Sequence, residues 1–102
     1  AYATGPMDVS KLPTNAKAHA DFKIKFNKEP GTFFDQAHAA TLAAINAIKV
    51  AGSTDQAALA KALKSSPVDT AIGTIKFDKK GDAEGVGFSV YQVKDGAFVE
   101  VK

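Results

Sequence analysis

Few residues in this sequence have side chains that could carry catalysis, and they are widely spaced. His19 and His38 lie on different predicted helices, so they do not form the i, i+4 pair that binds a metal ion on one helix. Ser65, Ser66 and Ser89 have no neighbouring base in the sequence that would activate a hydroxyl nucleophile. We therefore predict no catalytic residue and no enzymatic activity, and we expect His38 to be a hydrogen-bonded core histidine.

One acidic turn has a distant likeness to a calcium-binding loop. Asp78 and Asp82 stand on either side of Gly81, but Lys79 and Lys80 occupy positions where such a loop needs oxygen ligands. The chain also has no cysteine, which removes thiolate metal sites and disulfides. We predict a solvated turn here, no metal site and no cofactor.

Length and composition limit the class of protein. The 102 residues form one domain at most, with one modest core. All 13 basic residues are lysine and the net charge is +2, so the chain has no arginine to read bases and no strongly basic stripe, and we predict no nucleic-acid partner. No apolar run approaches the roughly 20 residues of a membrane span. Because the sequence begins at Ala1 without Met, we expect a chain that was processed or cut from something longer.

The elements that must position any site are organised around one apolar helix, predicted from Thr32 to Ala51. Alanine is frequent in this stretch, and no charged residue lies between Asp35 and Lys49, so the helix is apolar on all sides. Thr32 is predicted to cap its N-terminus and Gly52 to end it. A helix of this kind has to be covered on more than one side.

The patterns around this helix predict two more helices. The predicted segments are an extended piece at 1–5, a connector at 6–13, a helix from Thr14 up to the Asn27–Gly31 turn, and a short helix after Ser53. Asp21 and Lys25 form a favourable i, i+4 pair on the first of these helices. Ser53 with Gln56 has the spacing of a capping box for the last one.

From Thr70 onward the sequence predicts antiparallel strands. Apolar residues alternate over 73–77 and again over 86–93, which is the period of a strand. Asp95 and Gly96 are a strong two-residue hairpin signal, and 97–101 is predicted to be the returning strand.

The run from Gly31 to Lys102, GTFFDQAHAATLAAINAIKVAGSTDQAALAKALKSSPVDTAIGTIKFDKKGDAEGVGFSVYQVKDGAFVEVK, resembles the C-terminal end of the branched-chain amino-acid binding proteins of ABC transporters. This resemblance rests on the order and spacing of four segments: the alanine-rich helix, the short helix ending in Lys-Ser-Ser, the strand leading into Phe-Asp-x-x-Gly-Asp, and the final hairpin. Family members are about three times longer. The resemblance implies an α/β parent of type I periplasmic binding protein fold with two Rossmann-like lobes, of which this chain alone is an α+β fragment of three helices followed by antiparallel strands.

The resemblance also implies a layout and a mechanism. Residues 1–102 are expected to be the C-terminal segment, with 1–5 as a hinge strand, 14–64 as the helical part of the first lobe and 70–102 as the closing strands. In this family the two lobes close on a small ligand, and the closed form docks on a permease in the membrane. We therefore expect a periplasmic importer subunit that binds branched-chain amino acids or related small carboxylates.

Two aromatic residues are the candidate ligand contacts. Phe33 matches the position where relatives place an aromatic at the rim of the ligand cleft, and Phe34 follows it. An aromatic wall suits an apolar ligand side chain, because burying a side chain of leucine size contributes roughly 2 kcal/mol without a directional bond. The alternative is that both residues serve only as a hydrophobic staple and a core contact. The groups that hold the ligand's ammonium and carboxylate belong, in this family, to the missing portion.

The strands present are short and alternating, whereas a parallel sheet that covers an apolar helix has near-continuous apolar runs. The covering sheet is therefore missing, and we expect the isolated chain to associate with itself or with the remaining polypeptide. The alternative function is a stand-alone α+β interaction module that forms a homodimer and binds no small ligand.

Overall fold

A computed structural model describes residues 1–101 and contains helices followed by antiparallel strands, which confirms the predicted α+β class. The elements are β1 Tyr2–Pro6, α1 Pro13–Phe26, α2 Phe34–Ala51, α3 Gln56–Ser65, β2 Val68–Thr70, β3 Gly73–Phe77, β4 Ala83–Glu84, β5 Phe88–Lys94 and β6 Ala97–Glu100. Within the described residues, no helix combines the length and the apolar character that crossing a bilayer requires.

The strands form two separate antiparallel sheets. One has the order β1-β5-β6, and its register runs from Tyr2 opposite Gln92 to Pro6 opposite Phe88. The other has the order β2-β3-β4 and lies beside the helices. The predicted hairpin between β5 and β6 is confirmed, because Asp95 and Gly96 both have positive φ, as a tight two-residue turn requires.

The core lies between α2, α3 and the β2-β3-β4 sheet. Ala39, Ala43 and Ala47 are the buried residues of α2, and their small side chains let the helix approach the β2-β3-β4 sheet, where Ile75 of β3 is buried. The other side of α2 is exposed and still apolar, with Ile45 an example. The helix is thus covered on one side only, as expected if its second layer is missing.

Of the three predictions about helix ends, the two N-terminal caps are wrong and the C-terminal stop is confirmed. Thr32 does not cap α2; Phe33 occupies the N-cap position in a left-handed conformation, without a side-chain hydrogen bond. Ser53 is not the cap of α3, because Asp55 is, and its carboxylate accepts a hydrogen bond from the backbone N–H of Ala58 at 3.1 Å. The Ser53 hydroxyl instead accepts a hydrogen bond from the N–H of Asp55, two residues later in the chain. The predicted C-terminal stop at Gly52 is confirmed, since that residue has φ 65°.

On α1, the predicted pair between Asp21 and Lys25 is not the one that forms. Lys17 lies one turn before Asp21 and donates to its carboxylate at 2.7 Å. Either lysine is four residues from the aspartate, so spacing alone does not decide between them.

The molecule is elongated. Its radius of gyration is 15.7 Å, whereas a compact domain of this length has about 13 Å. Within residues 1–101, the β1-β5-β6 sheet makes no extensive contact with a helix, and the main apolar cluster lies entirely in the helical half. The molecule thus has a helical half, made of the three helices and the β2-β3-β4 sheet, and a second half, made of the β1-β5-β6 sheet. The chain segments that run between these halves are their main connection.

Candidate functional site

Phe33 is the most unusual residue in the structure. It has φ 65° and ψ 11°, a left-handed conformation that is an outlier for a bulky side chain and costs of order 1–3 kcal/mol. Its side chain is also 69% exposed, although it is aromatic. Strain and an exposed aromatic ring at one residue are features that collect at ligand-binding positions.

Phe33 lies at the edge of an open groove of about 370 Å³. Three parts of the chain form this groove: the connector after β1, Asn15 and His19 of α1, and the residues around the start of α2. The lining includes Pro6, Asp8, Asn15, His19, Phe33 and Gln36. The groove therefore places an apolar ring beside polar groups, on a surface that is open to a second body.

Phe34 has a different environment, although it is the next residue. Its ring is half-buried and packs edge-on against His19 of α1 at 5.3 Å between centroids and against Phe22 at 4.9 Å. Edge-to-face pairs of this kind add to the energy of area burial. Phe34 thus links α1 to α2, while Phe33 points away from this contact.

His19 also makes a polar contact with the first turn of α2. Its Nε2 lies 2.6 Å from Oδ1 of Asp35, and the side chains are 39% and 25% exposed. Sequence reasoning missed this pair, because residues 16 positions apart on two helices meet only if the helices have one particular rotation. Asp35 also lies in the first turn of α2, where a carboxylate is favourable to the helix dipole.

His38 does not have the hydrogen bond that we expected. Its Nδ1 is buried and has no hydrogen-bond partner among the described residues. The ring lies 5.8 Å from that of Phe34. The prediction of a hydrogen-bonded core histidine is therefore wrong for this nitrogen.

The salt bridges outside the groove have mostly exposed side chains. At the C-terminal end of α1, the hydrogen bond that Lys23 donates to Glu29 at 2.8 Å raises the pKa of Lys23. The acidic turn lies away from the groove, and Oδ1 of Asp78 accepts hydrogen bonds from the backbone N–H groups of Lys80 and Asp82. Residues 1–101 contain no cluster of three or more metal-ligating side chains.

Comparison with known proteins decides the family. The family model described as periplasmic binding protein matches residues 2–97. This chain belongs to the periplasmic binding protein family. Its relatives include the leucine-, isoleucine-, valine-, threonine- and alanine-binding protein of Pseudomonas aeruginosa, with 34% identity over 101 residues, which are 98% of this chain and 27% of the relative. The Leu/Ile/Val-binding protein of Escherichia coli is 34% identical over 90 residues, which are 86% of this chain and 23% of that protein.

Solved structures give the same fold. The crystal structure of a leucine-binding protein from Thermotoga maritima superposes with a TM-score of 0.77 and 27% identity, and covers 99% of this periplasmic binding protein segment and 29% of the solved chain. The predicted type I solute-binding fold is thereby confirmed. The segment spans about a quarter of the length of the curated relatives that it matches.

Proposed function

We propose that this chain is part of the ligand-binding component of an ABC importer for branched-chain amino acids or related small carboxylates, acting in the periplasm. The observation that supports this most strongly is the alignment of 98% of the chain with a relative that is named for binding leucine, isoleucine, valine, threonine and alanine. The relatives are named as binding proteins, and we propose binding without catalysis here.

The proposed layout places the chain across both lobes, with the β2-β3-β4 sheet packed beside the helices. Residues 1–5 are the hinge strand, 14–64 the helical part of the first lobe and 70–102 the closing strands, of which Lys102 lies outside the residues that the structure describes. The pairing of β1 with β5 supports this assignment, because it brings two segments that enter and leave the helical half side by side. Two adjacent strands between lobes permit bending while limiting twist, which suits closure on a ligand.

Phe33 is the proposed ligand contact, and its exposure beside the groove supports this role. Its ring forms one wall for the apolar side chain of the ligand. Phe34, the second candidate contact, packs against α1 and does not line the groove, so its proposed role is to anchor the residue next to Phe33. The exposed apolar side of α2, which includes Ile45 and Ile48, docks the remaining polypeptide. The closed, ligand-bound form then docks on an ABC permease in the membrane.

A chimera tests the function. Residues 1–101 replace the matching segment of the Pseudomonas aeruginosa relative, and isothermal titration calorimetry measures the affinity for L-leucine. One aromatic wall covers about half of the ligand side chain, so Phe33→Ala removes about 1 kcal/mol and weakens binding by about fivefold. Phe98→Ala is the matched control, because Phe98 is 68% exposed and lies on β6, away from the groove.

Two results would contradict the proposal at different points. A folded chimera that binds neither leucine, isoleucine nor valine, when the relative binds leucine in the same assay, would refute the function. A chimera that binds leucine equally well with and without the Phe33 ring would refute the assignment of the site alone.

A further inference from the structure

His19 contacts both residues that follow Phe33 in the sequence. Its ring packs edge-on against Phe34, and its Nε2 lies 2.6 Å from the carboxylate of Asp35. We propose that His19 is a positioning residue that acts through Asp35 and Phe34 to hold Phe33 in its left-handed conformation, and so places the ring at the ligand. This inference rests on the proposed function.

The conformation of Phe33 needs such support. A bulky residue with positive φ stays in that conformation only when its surroundings fix it. No side-chain cap is present at this end of α2, and the backbone contributes two hydrogen bonds, from Phe34 N–H to Gly31 at 3.3 Å and from Ala37 N–H to Phe33 at 3.0 Å. The first of these is long, so backbone bonding is weak on the side where Phe33 enters the helix.

His19 supplies what the backbone lacks. The pair with Asp35 is short and partly shielded from water, so it is screened less than a fully exposed pair. It joins α1 to the second residue of α2, while the edge-on contact fixes the first residue. Two consecutive residues held by one side chain leave the preceding residue little freedom to change its φ and ψ. Rotation of Phe33 to a right-handed or extended conformation would move Phe34 and Asp35 away from α1.

A salt bridge within α1 provides a matched comparison. Lys17 donates to Asp21 at 2.7 Å, close to the length of the His19 contact. Both of its side chains are largely exposed, and both belong to α1, so this pair does not reach α2. Removing its donor tests the general effect of losing a charge from α1.

The test uses the chimera described above, with L-leucine as the probe. His19→Leu keeps an apolar side chain against Phe34 but removes the donor, and weakens leucine binding by about fivefold. His19→Gln retains a nitrogen donor near the position of Nε2 and stays within about twofold of the parent. Lys17→Leu, the control, also stays within about twofold. In a Phe33→Ala background, His19→Leu produces no further loss.

The double-variant result separates positioning from general stability. If His19→Leu weakens binding equally with and without the Phe33 ring, or if the glutamine variant loses as much as the leucine variant, the positioning role is wrong. A leucine affinity that Phe33→Ala leaves unchanged would instead contradict the proposed site.

Amide hydrogen exchange gives a second measurement that does not need ligand. The N–H of Ala37 donates to the carbonyl of Phe33, so its protection reports the conformation of that residue. His19→Leu is expected to lower this protection by about tenfold relative to Lys17→Leu. Equal protection in the two variants would overturn the inference, even in a chimera that fails to bind leucine.

Discussion

Gly85 has the least room for a side chain among the glycines, and this yields a quantitative prediction. It follows β4 and has φ 89°, and a Cβ built on it would lie 2.4 Å from the carbonyl oxygen of Thr74. Real Cβ atoms do not approach closer than 3.0 Å, so a Gly85→Ala variant has to separate these backbones by about 0.6 Å. That movement falls on β4, which has two residues and pairs only with β3.

Gly81 provides the control for this prediction. It has nearly the same φ, 93°, but a Cβ there would meet no atom within 4 Å. Gly81→Ala therefore incurs conformational strain of about 1–2 kcal/mol. Gly85→Ala incurs the same strain and also loses the β3-β4 pairing, so we expect it to cost about 2 kcal/mol more.

Urea unfolding of the chimera, followed by far-ultraviolet circular dichroism, measures the difference. Gly81→Ala should lower the midpoint slightly, and Gly85→Ala should lower it by about 1 M more if the slope is near 2 kcal/mol/M. Equal midpoints for the two variants would show that β4 can move away without cost, and the reasoning from close approach would be wrong.

Two further predictions concern burial. Asn15 is buried, and its Nδ2 donates a hydrogen bond to the carbonyl of Ala71 at 2.9 Å. Asn15→Ala should therefore lower the free energy of unfolding of the chimera by about 1–3 kcal/mol, whereas the control, Asn46→Ala on α2, should lower it by less than about 1 kcal/mol. Equal losses would contradict this role for Asn15. The isolated chain should sediment as oligomers at micromolar concentration. Ile48→Glu should shift it towards monomer, because a charge on the exposed side of α2 opposes burial of that surface. A chain that is monomeric without this substitution would contradict the docking role of the surface.

The sequence allowed prediction of those features that depend on neighbouring residues. Gly52 ends α2, and Asp95 with Gly96 makes the hairpin, because each needs only a backbone conformation that its residue type permits. The start of α2 could not be predicted in this way. Thr32 is the better cap by type, but the packing of Phe34 against α1 fixes the chain so that Phe33 takes the cap position.

The candidate site was predictable only in part. Phe33 was selected from its match to a family, and its strain and exposure are properties of the structure that no composition or period indicates. The His19–Asp35 contact depends on how α1 and α2 are rotated about their axes, which the long-range packing determines. Capping of α3 shows the limit on a smaller scale, since Ser53 and Asp55 are both good caps and the position of the first turn decides between them.

The register between β1 and β5 has a consequence for how the protein is made. Pro6 pairs with Phe88, which is far along the sequence. A ribosome that adds 5–20 residues per second therefore synthesises β5 roughly 4–16 seconds after β1. During that time β1 lacks β5, its pairing partner among residues 1–101, and its backbone groups are open to pairing with other chains. The helical half has contacts between residues that are closer in sequence, so it can fold first. Once folded, it keeps β1 near the position that β5 will occupy.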